Sequence, residues 1–472
     1  MEWFSAEGFE LARQVLQRGI AAVFLIAFAS ALAQFPALLG EHGLLPVPQL
    51  LERRTPRGFT LFRWGYTDGR LRAVAGTGVV ISALLVAGLP QLGPPWLPLA
   101  AFLALWFLYM SVVNVGQTFY GFGWETLLLE AGFLAAFLGS DRVAPPAPVL
   151  WLFIWLVFRL EFGAGMIKMR GDTVWRDLTA LYYHHETQPM PNPASWFFHH
   201  LPKPLHKVEV AGNHFAQLVV PFFLFFPQPV GSIAAAVVII TQLWLVASGN
   251  FAWLNTLTIL LAFSAVSDRA VQAILPVGDF TPQYQTEPVW FTVLVLAVSA
   301  LLVYLSYWPL KNLFAKRQLM NASFNNWHLA NAYGAFGSIT RQRYEVVVEG
   351  SADGVRWQEY GFKGKPGDPQ RMPRQFAPYH LRLDWLMWFL ALGSPGASWF
   401  IPLLRKLLEA DRATLKLLRH DPFKGEPPLL VRATLYHYRF SSWAERRRTG
   451  QWWIRSESGQ LVPPLSRPRT AE

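Results

Sequence analysis

Residues 158–215 read FRLEFGAGMIKMRGDTVWRDLTALYYHHETQPMPNPASWFFHHLPKPLHKVEVAGNHF. An apolar run, 150–169, ends inside this stretch and carries Arg159, Glu161 and Lys168. Ionisable groups in a membrane-length segment are costly, so they face a partner, a cavity or an interface. The run then opens into a loop dense in His, Pro, Asn and Trp. Six of the eleven His residues lie between His184 and His214, which marks this loop as the working end of the molecule.

Working outward, the composition is that of a membrane protein. Hydrophobic residues make up 53% and charged ones 15%, against roughly 25% charge in soluble domains. A spanning helix needs roughly 20 apolar residues. Nine apolar windows recur, at about 19–39, 72–92, 97–116, 124–139, 147–169, 213–228, 231–249, 252–268 and 289–308. The fourth, sixth and eighth are short. Arg13 and Arg18 precede the first window, which runs through Ala31-Leu32-Ala33 and so resembles a cleavable leader. With eight more windows behind it, it reads as an uncleaved first span. Gly76 and Gly78 fall in the second window, where small residues permit close helix packing.

Composition shifts after Trp308. Residues 311–472 hold 25 Lys and Arg against 13 Asp and Glu, so the whole positive excess of the chain sits there. The predicted organisation is a polytopic helical membrane bundle over 1–310 and a β-rich extramembrane domain over 311–472. Residues 341–350 alternate as a strand, 351–354 supply a hairpin turn, and 355–362 return. Strands are also expected at 380–384, 429–440 and 451–455. A helix is expected at 399–418, from the spacing of Leu403, Leu404, Leu407, Leu408, Leu415 and Leu418. The expected fold of this part is a β-sandwich with a helical insertion. Its basic surplus suits anionic lipid headgroups or a solvated surface. No nucleic-acid recognition motif accompanies the charge, so nucleic acid is not expected as a partner.

Cysteine is absent, which excludes disulfides, thiolate nucleophiles and Cys-ligated metals. It also fits a bacterial source. Nine spans put the first long loop, the 170–212 loop and the tail on one side. Arg53, Arg54, Arg57, Arg63, Arg70 and Arg72 make that side cytoplasmic by the positive-inside count.

Long ordered stretches carry a family resemblance: FGAGMIKMRGDTVWRDLTALYYHHETQPMPNP (162–193), HHLP (199–202), NHFAQLVVPFFLFF (213–226) and ASGNFAWLNTLTI (247–259). In the tail they are NAYGAFGSIT (331–340), EVVVEGSADGVRWQEYGFKGKPGD (345–368), PYHLRLDWLMWFLALG (378–393) and the region of Gln451, Trp452 and Trp453. The chain resembles the lipase maturation factor family over nearly its whole length. The resemblance implies a multipass membrane protein that helps secreted lipases reach an active, assembled state. In eukaryotes such proteins sit in the endoplasmic reticulum membrane with the C-terminal domain lumenal. A bacterial member would lie in the inner membrane with its tail outside the cytoplasm, against the charge count. Some family members are linked to thiol redox chemistry, which a Cys-free chain does not perform directly.

A shorter stretch, Ala164-Gly165-Met166-Ile167-Lys168-Met169, resembles the membrane segment of vitamin K-dependent γ-carboxylases. There an Ala-Gly-x-x-Lys pattern carries the lysine that serves as base, and Lys168 occupies that place. A partly desolvated lysine can accept a proton. The competing readings of Lys168 are a snorkelling side chain and a structural partner of Glu161 or Asp172. Arg159 and Glu161 do not face each other and are expected to pair across helices, for instance with Glu125 or Glu130.

The candidate functional set is Arg159, Glu161, Lys168, Arg170, Asp172, Trp175, Arg176, Asp177, His184, His185, Glu186, Asn192, His199, His200, Asn213 and His214. Neither a metal nor a cofactor is expected: His184-His185 and His199-His200 lack ligand spacing. No nucleophile elbow, phosphate loop or dinucleotide fingerprint is present.

Two classes of function follow. The first is a non-enzymatic maturation factor that holds a secreted lipase-like client at the membrane surface, beside membrane lipids. Its aromatics Trp196, Phe197, Phe198, Trp385 and Trp388 would meet apolar client segments. The second is a membrane enzyme related to the quinone-dependent carboxylases, with Lys168 as general base. The long matches favour the first.

Overall fold

A computed structural model describes residues 3–275, 283–393 and 397–467. The membrane part contains α1 (Glu10–Leu39), α2 (Asp68–Ala87), α3 (Trp96–Val115), α4 (Gly123–Ala135), α5 (Ala147–Arg170), α6 (Leu181–Thr187), α7 (Lys203–Leu218), α8 (Val230–Ser248), α9 (Leu254–Ala265) and α10 (Val289–Phe314). Six of these, α1, α2, α3, α5, α8 and α10, are long and apolar enough to cross a membrane. The expected nine spans thus become six helices of spanning length and three short apolar segments packed among them. α4 has 13 residues and rises about 20 Å, short of a hydrocarbon core about 30 Å thick. The window at 213–228 is split where α7 stops before Val219 and Pro221. α9 is likewise too short.

The first helix starts at Glu10, nine residues before its apolar window, because its polar entry is satisfied internally. The Asp268 carboxylate accepts from the backbone N–H groups of Glu10 and Leu11 at 3.0 and 2.9 Å. Arg13 is fully buried; it pairs with Glu10 and donates to the carbonyls of Ser140 and Val143. Beyond Arg13, α1 runs through both large apolar clusters of the molecule. Gly78 of α2 faces the Phe28 ring so closely that a Cβ there would overlap it, as the small-residue reading requires.

The tail carries one four-stranded antiparallel sheet, ordered β2-β1-β3-β4, from β1 (Arg343–Ser351), β2 (Gln358–Glu359), β3 (Leu430–Phe440) and β4 (Trp453–Ser466). β1 and β3 stand where their alternation placed them. The expected sandwich is corrected to this single sheet, since helices cover the face that a second sheet would cover. Leu403, Leu404 and Leu407 of α12 (Phe400–Leu408) join Val346, Val348, Val431 and Ala433 in one cluster. The expected strand at 380–384 is instead the start of helix α11 (Arg382–Ala391), in which Leu383, Leu386 and Met387 share the buried face. The expected helix 399–418 breaks at Ala410, whose φ of 52° ends α12 before a short turn of helix at 412–415. The strand expected at 451–455 runs on to Ser466 through Pro463 and Pro464, which an edge strand tolerates.

Sheet and bundle are not stacked end to end; they interpenetrate. Glu125 of α4 accepts from Arg382 at 2.6 Å and from the Tyr109 hydroxyl of α3, all buried. Burial, with Arg382 adding to it, pushes His380 down to about 4, so it sits neutral 3.6 Å from the same carboxylate. Glu130 pairs with Arg159 of α5, as the sequence suggested, and accepts from Asn331 and Tyr333 of the tail. Arg343 ion-pairs with Glu345 at 2.6 Å and donates to the carbonyls of Glu186, Gln188 and Pro189. The first long loop also packs into the tail's cluster, through Leu44, Val47 and Phe62. The first loop, the 170–212 segment and the sheet therefore meet at one end of the bundle.

Replacing Arg382 by Met keeps most of the stem but strands the Glu125 carboxylate in a dry site. Breaking a buried pair from one side costs about 3–5 kcal/mol. The thermal unfolding midpoint of Arg382→Met in detergent should fall sharply. A Glu125→Gln, Arg382→Met double variant should recover part of the loss.

Candidate functional site

α5 supplies the floor of the site. A 3.6-residue period puts Glu161, Ala164 and Lys168 on one face, and that face lines a cavity of about 1120 Å³. Small-molecule pockets typically measure about 300–1,000 Å³. The other walls come from α7 (Glu209, Asn213, Gln217), α8 (Ile240, Gln242, Trp244), α9 (Asn255, Thr258) and the tail (Tyr333, Phe336, Trp385, Trp388). α5 ends at Arg170 and is capped by Gly171, where a side chain would run into the Gly337 carbonyl. Asp172 then donates its N–H to that carbonyl at 2.9 Å and caps the next turn.

Lys168 does not snorkel. It is buried, and its ammonium donates to Asn213 Oδ1 at 2.9 Å and Gln217 Oε1 at 2.8 Å, 4.7 Å above the Trp175 ring. Gln217 passes the connection on: its Nε2 donates to Glu161 Oε2 at 3.1 Å. Gln242 Nε2 donates to the other Glu161 oxygen at 2.6 Å, and Asn255 donates to Gln242 Oε1 at 2.7 Å. One amide thus accepts from the cation and donates to the anion, so opposite charges on the same helix are joined without touching. Such a network has value only when every member is satisfied. Its setting, apolar walls with a few convergent polar groups, suits an amphipathic occupant.

Of the expected residues, the structure gathers Glu161, Lys168, Trp175, His184, His185 and Asn213 at the cavity. His184 is buried, stacked 6.1 Å from Phe251, and pushed down to about 3 by burial, which keeps it neutral. The rest do structural work outside the cavity. Arg170 ties α5 to the Leu313 carbonyl, Glu186 accepts the Phe440 N–H at 2.7 Å, and Asn192 caps Ser195 while holding the end of α8. His199 lies 3.7 Å from Glu186, His200 packs on Trp196, and His214 bonds the Trp175 carbonyl at 2.9 Å. Arg159 belongs to the Glu130 cluster, and Arg176 and Asp177 are exposed.

The aromatics proposed for client contact divide. Trp196 is a buried core residue, Phe197 is exposed, Phe198 is half-buried, and Trp385 and Trp388 line the cavity. The adjacent His pairs are also split. His185 faces His206 and Glu209 of α7 instead, a grouping that spacing along the chain did not reveal. Sequence reading passed over Gln217, Gln242 and Asn255 too. Their signal was an amide inside an apolar window, alone for Gln242 and Asn255 and beside Asn213 and Gln228 for Gln217.

These features define a polytopic membrane protein whose C-terminal part, through residues 333–338 and helix α11, closes a polar-floored cavity within its helices. Residues 11–273 match the family described as lipase maturation factor transmembrane domain, and residues 329–463 match the lipase maturation factor C-terminal domain. The chain is 40% identical to lipase maturation factor 1 of Bos taurus over 97% of its length and 90% of that protein's. It is also 40% identical to the Homo sapiens protein of that name, covering 97% of this chain and 88% of the relative. Homo sapiens lipase maturation factor 2 is 30% identical, over 97% and 83%. The chain belongs to the lipase maturation factor family. No solved structure matches it.

Gln217→Leu keeps the size of the side chain and removes both of its hydrogen bonds. Stranding a buried charged partner costs about 1–3 kcal/mol or more. The unfolding midpoint should drop, and Asn255→Leu, at the neutral end of the chain, should lower it less.

Proposed function

We propose that this protein is a membrane maturation factor for exported lipase-type clients, acting at the end of the bundle where the sheet, the first loop and the 170–212 segment meet. The observation that carries this reading is the 40% identity to proteins named lipase maturation factor 1 along 97% of the chain, through bundle and tail alike. A client arriving from the secretory side would meet the tail first, so the tail end faces away from the cytoplasm. The host membrane is the endoplasmic reticulum membrane in a eukaryote and the inner membrane in a bacterium. The exposed arginines of the first loop then bind anionic lipid headgroups there rather than reporting orientation.

Two measurements test it. A secreted lipase co-expressed with this chain, in cells deprived of their own family member, should gain activity per unit of lipase protein. An unchanged specific activity, with the chain folded and inserted, would contradict the reading. For orientation, Thr173→Cys and Ser458→Cys occupy exposed positions in a Cys-free chain. Both should react with an impermeant thiol reagent from the non-cytoplasmic side.

A second reading is favoured by one observation: the Lys168 ammonium points into the cavity network. On this reading Lys168 takes a proton from a lipid-like cosubstrate between the helices. Lys168→Met and Lys168→Arg separate the two. Arg keeps the charge but is effectively never deprotonated. A maturation factor should tolerate Arg better than Met, whereas a proton acceptor should tolerate neither.

A further inference from the structure

His185 is 2% exposed, and neither of its ring nitrogens has a hydrogen-bond partner. Buried polar atoms rarely go unsatisfied, and such a group calls for an explanation such as an ion. Its neighbours supply one. His206 is also 2% exposed and lies ring to ring with His185 at 5.6 Å. Glu209, one turn further along α7, approaches His185 Nε2 at 3.8 Å and His206 Nδ1 at 3.6 Å. Both separations are too long for a hydrogen bond. All three ligand atoms lie within 4.8 Å of one another.

The surrounding contacts orient these groups as ligands. His206 Nε2 lies 3.4 Å from the His199 carbonyl, which can only accept. The proton therefore sits on Nε2 and leaves a lone pair on Nδ1, directed at Glu209. Metal-bound His residues characteristically donate their other N–H in this way. The Glu209 carboxylate is itself held by the Trp244 indole N–H at 2.6 Å. Tetrahedral zinc with bonds near 2.0–2.1 Å separates its ligand atoms by about 3.3 Å; the two separations above run to different Glu209 oxygens, and the set as a whole, within 4.8 Å, would draw together around an ion.

We propose that His185, His206 and Glu209 bind a divalent transition-metal ion of the zinc class. Two imidazoles and a carboxylate suit such an ion. His185 and Glu209 both line the cavity, so a fourth ligand comes from that side, as water or as an oxygen of the occupant. The ion also ties α6 to α7, the two helices that flank Lys168 and its partners. The expectation of no metal was drawn from the adjacent His pairs and did not weigh His206 or Glu209.

The test uses the full-length protein in detergent, carrying a purification tag without histidine. After chelator treatment, zinc is titrated by calorimetry and cobalt by visible absorption. The wild type should take up about one equivalent and develop ligand-field bands with cobalt. Glu209→Gln, which preserves shape, should weaken binding at least about tenfold, and His206→Ala should abolish it. Trp244→Phe, which removes only the support of the carboxylate, should weaken binding about 10-fold or more. Should His206→Ala fail to fold, Glu209→Gln and the wild-type cobalt spectrum decide. No uptake by folded wild-type protein would overturn the proposal, and so would uptake that Glu209→Gln leaves unchanged.

Discussion

A carboxylate buried among apolar helices must be answered by cations or hydrogen-bond donors, and for the two on α4 part of that answer is drawn from the tail. Glu125 and Glu130 sit a turn and a half apart on the short helix α4. Glu125 is answered by Arg382, and Glu130 by Arg159 together with Asn331 and Tyr333. Removing charges from water costs several kcal/mol per ion unless geometry and hydrogen bonds compensate. A bundle without residues 319–393 would leave Glu125 without its cation and Glu130 with Arg159 alone. The tail is therefore an internal element of the membrane part as much as a cap upon it.

The cavity follows from this arrangement. Helices α5, α7, α8 and α9 give it a polar floor, and Tyr333, Phe336, Trp385 and Trp388 of the tail complete the wall. The same segments that answer the buried carboxylates thus set the shape of the site. Arg343 extends the coupling to the 170–212 segment by donating to three of its carbonyls. A perturbation of the sheet should be felt at His184 and His185, only a residue or two from those carbonyls. This gives a physical route from the sheet to the cavity among the helices.

Much of the architecture was legible because it rests on local pattern. The long apolar windows appear as helices, and the alternation at 341–350 and 429–440 appears as paired strands. Misreadings arose where tertiary partners overrule pattern. HLRLD alternates like a strand, yet Leu383, Leu386 and Met387 follow a helical face, and that face packs into the tail's apolar cluster. Lys168 reads as snorkelling, since its acceptors Asn213 and Gln217 stand more than forty residues away on another helix. The metal-ligand set was hidden for the same reason, with His185 and His206 in separate helices. Three of the tail's cations, Arg343, Lys365 and Arg382, are buried in ion pairs, which a charge count does not distinguish from surface ones. The cavity-lining part of the candidate set was visible as ionisable and aromatic residues beside an apolar run. Apart from Asn213, the cavity's amides, Gln217, Gln242 and Asn255, were not, because an amide in an apolar window carries no indication of its partner.

The central claim is that residues 319–393 form part of the interior of the membrane domain. Hydrogen exchange read by mass spectrometry on the full-length protein in lipid nanodiscs tests it most directly. Backbone amides of 331–336 and 382–391 should exchange as slowly as those of α4 and α5, because opening them requires the buried ion pairs to break. Exchange of these peptides on the timescale of exposed loops, with α4 and α5 still protected, would contradict the account.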